Sequence, residues 1–175
     1  MSSSPLSRLI IVRHAHALDR EEFAHKAPDD LLRPLSKKGK AQSQKITRFV
    51  RDFLDTKSID RLISSPATRA LQTIKPLTKS LPHTPFEIST LIAPDCGYEG
   101  YVRLLEQCGD SQTLLIVGHQ PDIGLFVEFL TGCGALTIKK GCVLELVRRT
   151  SRDSDKPTMW QNAFSLSLLI DPKRL

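Results

Sequence analysis

Arg8-Leu9-Ile10-Ile11-Val12-Arg13-His14 is the stretch from which the fold of this chain is read. Its apolar residues, three of them β-branched, occupy consecutive rather than alternate positions. That is the pattern of a strand buried on both faces, and such strands belong to parallel sheets covered by helices. The run stops abruptly at the polar cluster Arg13-His14-Ala15-His16. Two later runs share this character: Arg61-Leu62-Ile63 leads into Ser64-Ser65, and Thr113-Leu114-Leu115-Ile116-Val117 leads into Gly118-His119. Each buried strand therefore finishes in a chemically loaded turn.

Helical patterns lie between the strands. Ile46, Phe49, Val50, Phe53 and Leu54 recur at the spacing of one helix face, with Ser36 placed as N-cap. A second helix is expected from Pro66, capped by Ser65, with Ala67, Ala70, Leu71 and Ile74 inward. A third starts near Pro121, turns Ile123, Phe126, Val127 and Leu130 inward and stops at Gly132. Alternating strand and helix over residues 8–131 indicates βαβ units with right-handed crossovers. The tail differs: residues 143–149 and 164–170 read as two strands around a polar turn, an antiparallel pair near the sheet edge. The expected fold is α/β, a three-layer sandwich in which a mainly parallel sheet is flanked by helices and carries a C-terminal antiparallel strand pair. Residues 1–175 are expected to form a single domain, with 1–7 as a flexible N-terminus.

The chain's 175 residues, 40% hydrophobic and 25% charged, have globular composition and enough length for a self-supporting core. Twenty-five Lys and Arg against nineteen Asp and Glu leave a net charge of +6, which favours anionic partners. The basic residues are dispersed, and two Tyr and one Trp offer little for base stacking, so a nucleic-acid partner is not expected. The lysines of 37–45 read as a solvated helix face, with a docking surface for an acidic partner protein as the other reading. Cys96, Cys108, Cys133 and Cys142 form no C-x-x-C pair and no zinc-finger spacing; reduced thiols and a cytoplasmic location are expected. No signal-peptide pattern precedes Leu9, so no membrane partner is expected. Nothing in the residues sets an oligomeric state.

In open α/β sheets ligands sit beyond the carboxyl ends of the strands. The turns there hold Arg13-His14-Ala15-His16, Ser64-Ser65-Pro66 followed by Arg69, and Gly118-His119. Arginine forks bind phosphate bidentately, and helix N-termini add backbone donors. Arginines beside the histidines would repel a divalent cation, which disfavours a metal site, and the same like charge keeps a histidine neutral. A neutral ring nitrogen can attack phosphorus while fixed cations stabilise the equatorial oxygens. These residues fit metal-free phosphate hydrolysis without a cofactor. His16, His25 and His83 read as solvent-facing or locally bonded, the first two at the pocket rim.

The residues resemble the histidine phosphatase superfamily, whose fold is also called phosphoglycerate-mutase-like, and within it the small phosphohistidine phosphatases of the SixA type. Leu9 to His14 is similar to the family strand that ends in Arg-His-Gly. The resemblance implies that His14 is phosphorylated during turnover and that Arg13 is a phosphate ligand. Arg69, in Ser64-Ser65-Pro66-Ala67-Thr68-Arg69-Ala70-Leu71-Gln72-Thr73, resembles the second family arginine. His119, in Val117-Gly118-His119-Gln120-Pro121, resembles the second pocket histidine. Leu32-Arg33-Pro34-Leu35-Ser36-Lys37-Lys38-Gly39 looks like the SixA segment whose arginine lies near the phosphate, which implies a phosphate-binding role for Arg33; pairing of Arg33 with Asp29 or Asp30 is the alternative. The four blocks run from about residue 8 to 131 in family order, and the short chain implies that the helical lid of larger relatives is missing.

Two positions depart from the family pattern. Ala15 stands where glycine is usual, which would crowd a turn that needed positive φ. No carboxylate is marked as the general acid; Asp19, Asp95 and Glu99 are the candidates. Because phosphohistidine departs as imidazole, with little need of acid, the expected substrate is phosphohistidine on a signalling protein. The alternatives are a small phosphorylated molecule, such as a sugar phosphate or nucleotide, and a non-catalytic phosphate-binding module.

Overall fold

The computed structural model describes residues 6–108, 111–134, 136–149 and 159–174. Its strands are β1 (Arg8–Arg13), β2 (Arg61–Ser64), β3 (Phe86–Ile88), β4 (Thr113–Gly118), β5 (Val143–Arg148) and β6 (Phe164–Ile170), and its helices α1 (Arg20–Ala24), α2 (Lys37–Phe53), α3 (Thr68–Ser80), α4 (Gly97–Gln107) and α5 (Asp122–Thr131). The six strands form one sheet in the order β3-β2-β4-β1-β5-β6. β3, β2, β4 and β1 run parallel, while β5 is antiparallel to β1 and β6 to β5. The sheet is mixed with a parallel majority, as its buried strands require, and the antiparallel pair forms one edge.

Consecutive apolar residues fill both helix layers. In β1, Leu9 and Ile11 join the core under α4 and α5, with Leu104, Leu105, Phe126 and Val127. Ile10 and Val12 join the core under α2 and α3, with Ile46, Val50, Ile74 and Leu77. Fully burying each such side chain contributes about 1.5–3 kcal/mol, so a polar residue anywhere in β1 would be costly on either face. The Ser36 hydroxyl caps α2 by accepting from the Gly39 amide at 3.1 Å, and α5 ends on Gly132 at φ 69°. A residue with a side chain is strained in that conformation.

Several expectations need correction. Helix α3 starts at Thr68, with Ala67 extended at its N-cap and no side-chain cap. Ser65 lies too far upstream for that role, and its hydroxyl accepts from the Ala67 amide instead. Phe53 is 76% exposed and stacks on Phe49, while Leu54 beside it enters the core. Within the expected flexible stretch 1–7, Leu6 is buried and Ser7 is tied by backbone bonds to Gln112 and Arg148, while 1–5 lie outside the described residues. The sequence reading also omitted α1, the short exposed edge strand β3, and α4, whose buried Tyr101, Leu104 and Leu105 face the core.

Candidate active site

Strand pairing builds the centre of the site. The last register pair of β1 and β4 is Arg13 with Gly118, so His14 and His119 each stand one residue beyond neighbouring strand ends. The His14 amide donates to the Gly118 carbonyl at 3.0 Å, and the imidazole centroids are 5.1 Å apart. β1 connects through α2 toward β2 on one side, whereas β4 connects through α5 toward β5 on the other. The chain diverges between these two strands, which is where open α/β sheets leave a crevice for a ligand.

His14 Nδ1 lies 2.7 Å from the Ala15 carbonyl oxygen. A carbonyl only accepts, so Nδ1 carries the proton and Nε2 is left with its lone pair. Burial pushes the His14 pKa down to about 3, with the charges of Arg69, Arg13 and Lys140 acting in the same direction and the Ala15 bond opposing them. At neutral pH this imidazole is uncharged, with the Nε2 lone pair available. The Ala15 amide in turn donates to Thr73 Oγ1 at 3.0 Å, which fixes the turn to α3. Ala15 is itself buried and lacks positive φ, so the turn accepts alanine where the family pattern has glycine.

His119 is held from two sides. Its amide donates to the Tyr101 hydroxyl oxygen at 3.2 Å, and its Nε2 lies 2.7 Å from Ser65 Oγ. With the Ser65 hydroxyl donating to Nε2, the proton of His119 sits on Nδ1, and that atom is buried with no hydrogen-bond partner. Burial, then His14, Arg69 and Arg13, hold the His119 pKa at about 2. Gly118 is required by close approach: a Cβ there would lie 2.0 Å from the Tyr101 hydroxyl oxygen.

The two arginines are anchored at one end each. Arg13 Nη1 donates to the Ile138 carbonyl at 2.5 Å. Arg69 Nη1 donates to the Asp30 carbonyl at 2.7 Å and lies 3.1 Å from Asp30 Oδ2. On both side chains Nε is buried with no partner. Arg33 pairs with Asp30 through Nε at 2.7 Å and donates from Nη1 to the Leu18 carbonyl at 2.8 Å. The structure thus realises the Asp30 pairing for Arg33 and adds its charge behind Asp30. Burial would raise the Asp30 pKa, but the Arg33 bond and the charges of Arg69, Arg33 and Arg20 hold it below the usual carboxylate range.

The candidate acids are dispersed. Asp19 accepts from the Glu21 and Glu22 amides as N-cap of α1, and these bonds keep it a carboxylate despite a small burial effect. Glu99 is exposed and folds over Gly97 at the start of α4. Asp95 lines a cavity of about 520 Å³ with Asp30, Arg20 and Phe23. His16 bonds through Nδ1 to Ser36 Oγ at 2.9 Å, while His25 and His83 are exposed. The sequence reading missed Ser65 as the partner of His119, Thr73 as the clamp on the turn after His14, and half-buried Lys140. The Lys140 charge bears on Arg13, Arg33, Arg69 and Asp19. Gln72-Thr73, quoted in the motif, was the available signal for Thr73. No group of three or more His, Cys, Asp or Glu suited to a metal ion occurs among the described residues. Among them, no helix is long and apolar enough to cross a membrane.

The family model of the histidine phosphatase superfamily, branch 1, matches residues 9–93, the segment that carries Arg13, His14, Arg33 and Arg69. Over that segment the chain is similar to the histidine phosphatase superfamily. A relative in Picosynechococcus sp., an uncharacterized protein, is 28% identical over 124 residues, covering 69% of this chain and 70% of the relative. Among solved structures, a SixA-type protein from Agrobacterium tumefaciens is 20% identical with a TM-score of 0.77, covering 97% of this chain and all of its own. The protein histidine phosphatase SixA complexed with tungstate gives 20% identity and 0.73, with coverages of 95% and 97%. The alpha-ribazole phosphatase from Shigella flexneri gives 17% and 0.67, with coverages of 94% and 96%. At these identities the superpositions establish the α/β fold and a chain without a large helical insertion.

Proposed function

We propose that this chain is a metal-independent phosphatase that works through a phosphohistidine on His14 and acts on phosphohistidine of a partner protein. The observation that carries the reading is chemical. Three of the buried donors left without a partner, Arg13 Nε, Arg69 Nε and His119 Nδ1, belong to the two arginines whose charges bear on His14 and to the histidine whose ring lies 5.1 Å from it. Buried donors are seldom left unpaired, and these three suit a phosphoryl oxyanion. SixA, a structural neighbour, is described as complexed with tungstate, a tetrahedral oxyanion.

In the first step His14 Nε2 bonds to phosphorus as the bond from phosphorus to the leaving nitrogen breaks. The leaving imidazole keeps the electron pair and takes a proton from solvent. Arg13, Arg69 and His119 stabilise the charge spread over the equatorial oxygens, and the Ala15 carbonyl stabilises the positive charge that develops on the His14 ring. Water then attacks phosphorus, the bond to Nε2 breaks, and inorganic phosphate leaves with Nε2 restored. Arg33 holds Asp30, which holds Arg69. The substrate choice rests on the acids: Asp19 is held as a carboxylate, and Glu99 and Asp95 are both exposed, the first beside Gly97 and the second on the cavity next to Asp30, so a leaving group needing little protonation is favoured. The chain's site of action is a reducing cytoplasm, in which thiols such as Cys96, Cys108, Cys133 and Cys142 stay reduced.

Rapid-quench reaction with a radiolabelled phosphohistidine peptide tests this. Wild type should carry an acid-labile, base-stable label during turnover, and His14→Ala should carry none; an unlabelled, active wild type overturns the mechanism. The cavity beside Asp30 favours a second reading, a small phosphate ester with Asp95 as acid. There, Asp95→Asn should lose about 10²–10⁴-fold on P–O esters and little on phosphoramidate. Phosphate binding without hydrolysis of either substrate would leave a binding module.

A further inference from the structure

Outside the phosphate site the molecule separates its cations by type. Arginines 13, 33 and 69 are gathered at the histidines, whereas a groove of about 560 Å³ leading from Arg13 and His16 is bordered by Lys38, Lys45, Lys139, Lys140 and Lys173. Three separate elements supply it: the first turns of α2, the segment before β5, and the segment after β6. Among the described residues the groove's one carboxylate, Asp171, is 2.7 Å from Lys139 Nζ. Its volume far exceeds one phosphoryl group, and it opens to solvent beside Arg13, which belongs to both regions.

We propose that this groove seats an acidic segment of the phosphorylated partner protein, with its carboxylates against the lysines while the phosphoryl group reaches His14. This rests on the phosphatase reading and names its substrate class more closely. Planar arginine forks suit the fixed geometry of phosphate, whereas lysines are flexible point charges that accept carboxylates at variable positions. A small polyphosphate would call for several forks along the groove, and a nucleic acid would call for aromatic stacking platforms; among the described residues, beyond Arg13 at one end, the groove is lined by no other arginine and by no Phe, Tyr or Trp, and its apolar wall is Ala41 and Pro172. The side of α2 that bears Lys38 and Lys45 thus has a role beyond solvation.

The test compares wild type with Lys38→Gln/Lys45→Gln/Lys173→Gln and with a charge-matched control, Lys57→Gln/Lys75→Gln/Lys79→Gln. Binding of a fluorescein-labelled Glu-rich peptide, read by anisotropy at low salt, should weaken about tenfold in the groove variant and less than about twofold in the control. The wild-type preference in kcat/KM for a Glu-flanked phosphohistidine peptide over phosphoramidate should fall by a similar factor, through KM. Equal weakening in both variants, or no weakening, overturns the groove as a docking site. So does tighter binding of a single-stranded oligonucleotide than of the peptide. Failure of all phosphorylated substrates with peptide binding intact would instead overturn the phosphatase reading.

Discussion

The Thr73 hydroxyl accepts from the Ala15 amide at 3.0 Å while donating to the Arg69 carbonyl at 2.6 Å. One buried oxygen therefore ties the turn after His14 to the helix that carries Arg69. Thr73→Val keeps the shape and leaves the Ala15 N–H unsatisfied. It should lower unfolding free energy by about 1–3 kcal/mol in urea titration and reduce kcat more than it raises KM.

Asp30 bridges Arg69 and Arg33. Asp30→Asn keeps an acceptor but removes the charge that holds both guanidiniums. Phosphoramidate turnover should fall, yet less than the loss of about 10²–10³ expected for Arg69→Gln, which removes a cationic donor from the developing charge. Steady-state kinetics on the two variants measure the order; an Asp30 variant poorer than the Arg69 variant contradicts it.

The histidines make stability depend on pH with a defined sign. Their folded pKa values, about 3 for His14 and about 2 for His119, lie below the ordinary value of 6.5, so between these limits the unfolded chain binds more protons. Their contribution is fully present above about pH 6.5 and is lost as pH falls toward the folded values. Urea midpoints should drop from pH 7 to pH 5 in wild type, and the drop should shrink in His14→Asn. For the same reason kcat/KM, corrected for ionisation of the substrate, should show no acid limb near pH 6.5 from the nucleophile.

Gly118→Ala would push a methyl group onto the Tyr101 hydroxyl, which also orients the His119 backbone. Overpacking of this kind costs about 1–3 kcal/mol. Thermal unfolding should show the loss, and Tyr101→Phe in the Gly118→Ala background should recover part of it, whereas Tyr101→Phe alone destabilises by orphaning the His119 amide.

What the sequence made legible was whatever depends on local pattern. Consecutive apolar residues in β1 and β4 marked the central strands, and the residues just after them marked His14 and His119. Arg69 followed from its Ser-Pro setting. Long-range placement was less legible. Val143 begins an antiparallel neighbour of β1, so Lys139-Lys140 arrive where β1 ends, but an apolar run carries no sign of which strand it will pair with. Ser65 was read as a cap because the residue before a helix is ordinarily one; its distance to His119 arises only from the β2–β4 pairing. The edge strand β3 escaped because all three of its side chains are exposed, so it has no buried face to set a period.

β4 lies between β1 and β2 although it is synthesised after both. A product ending before Thr113 would hold Arg13, His14 and Arg69 yet lack the backbone that separates β1 from β2 and the second imidazole. Completion of the site therefore depends on the central strand that comes last of these three in the chain, and a chain cut short of it lacks half of the imidazole pair.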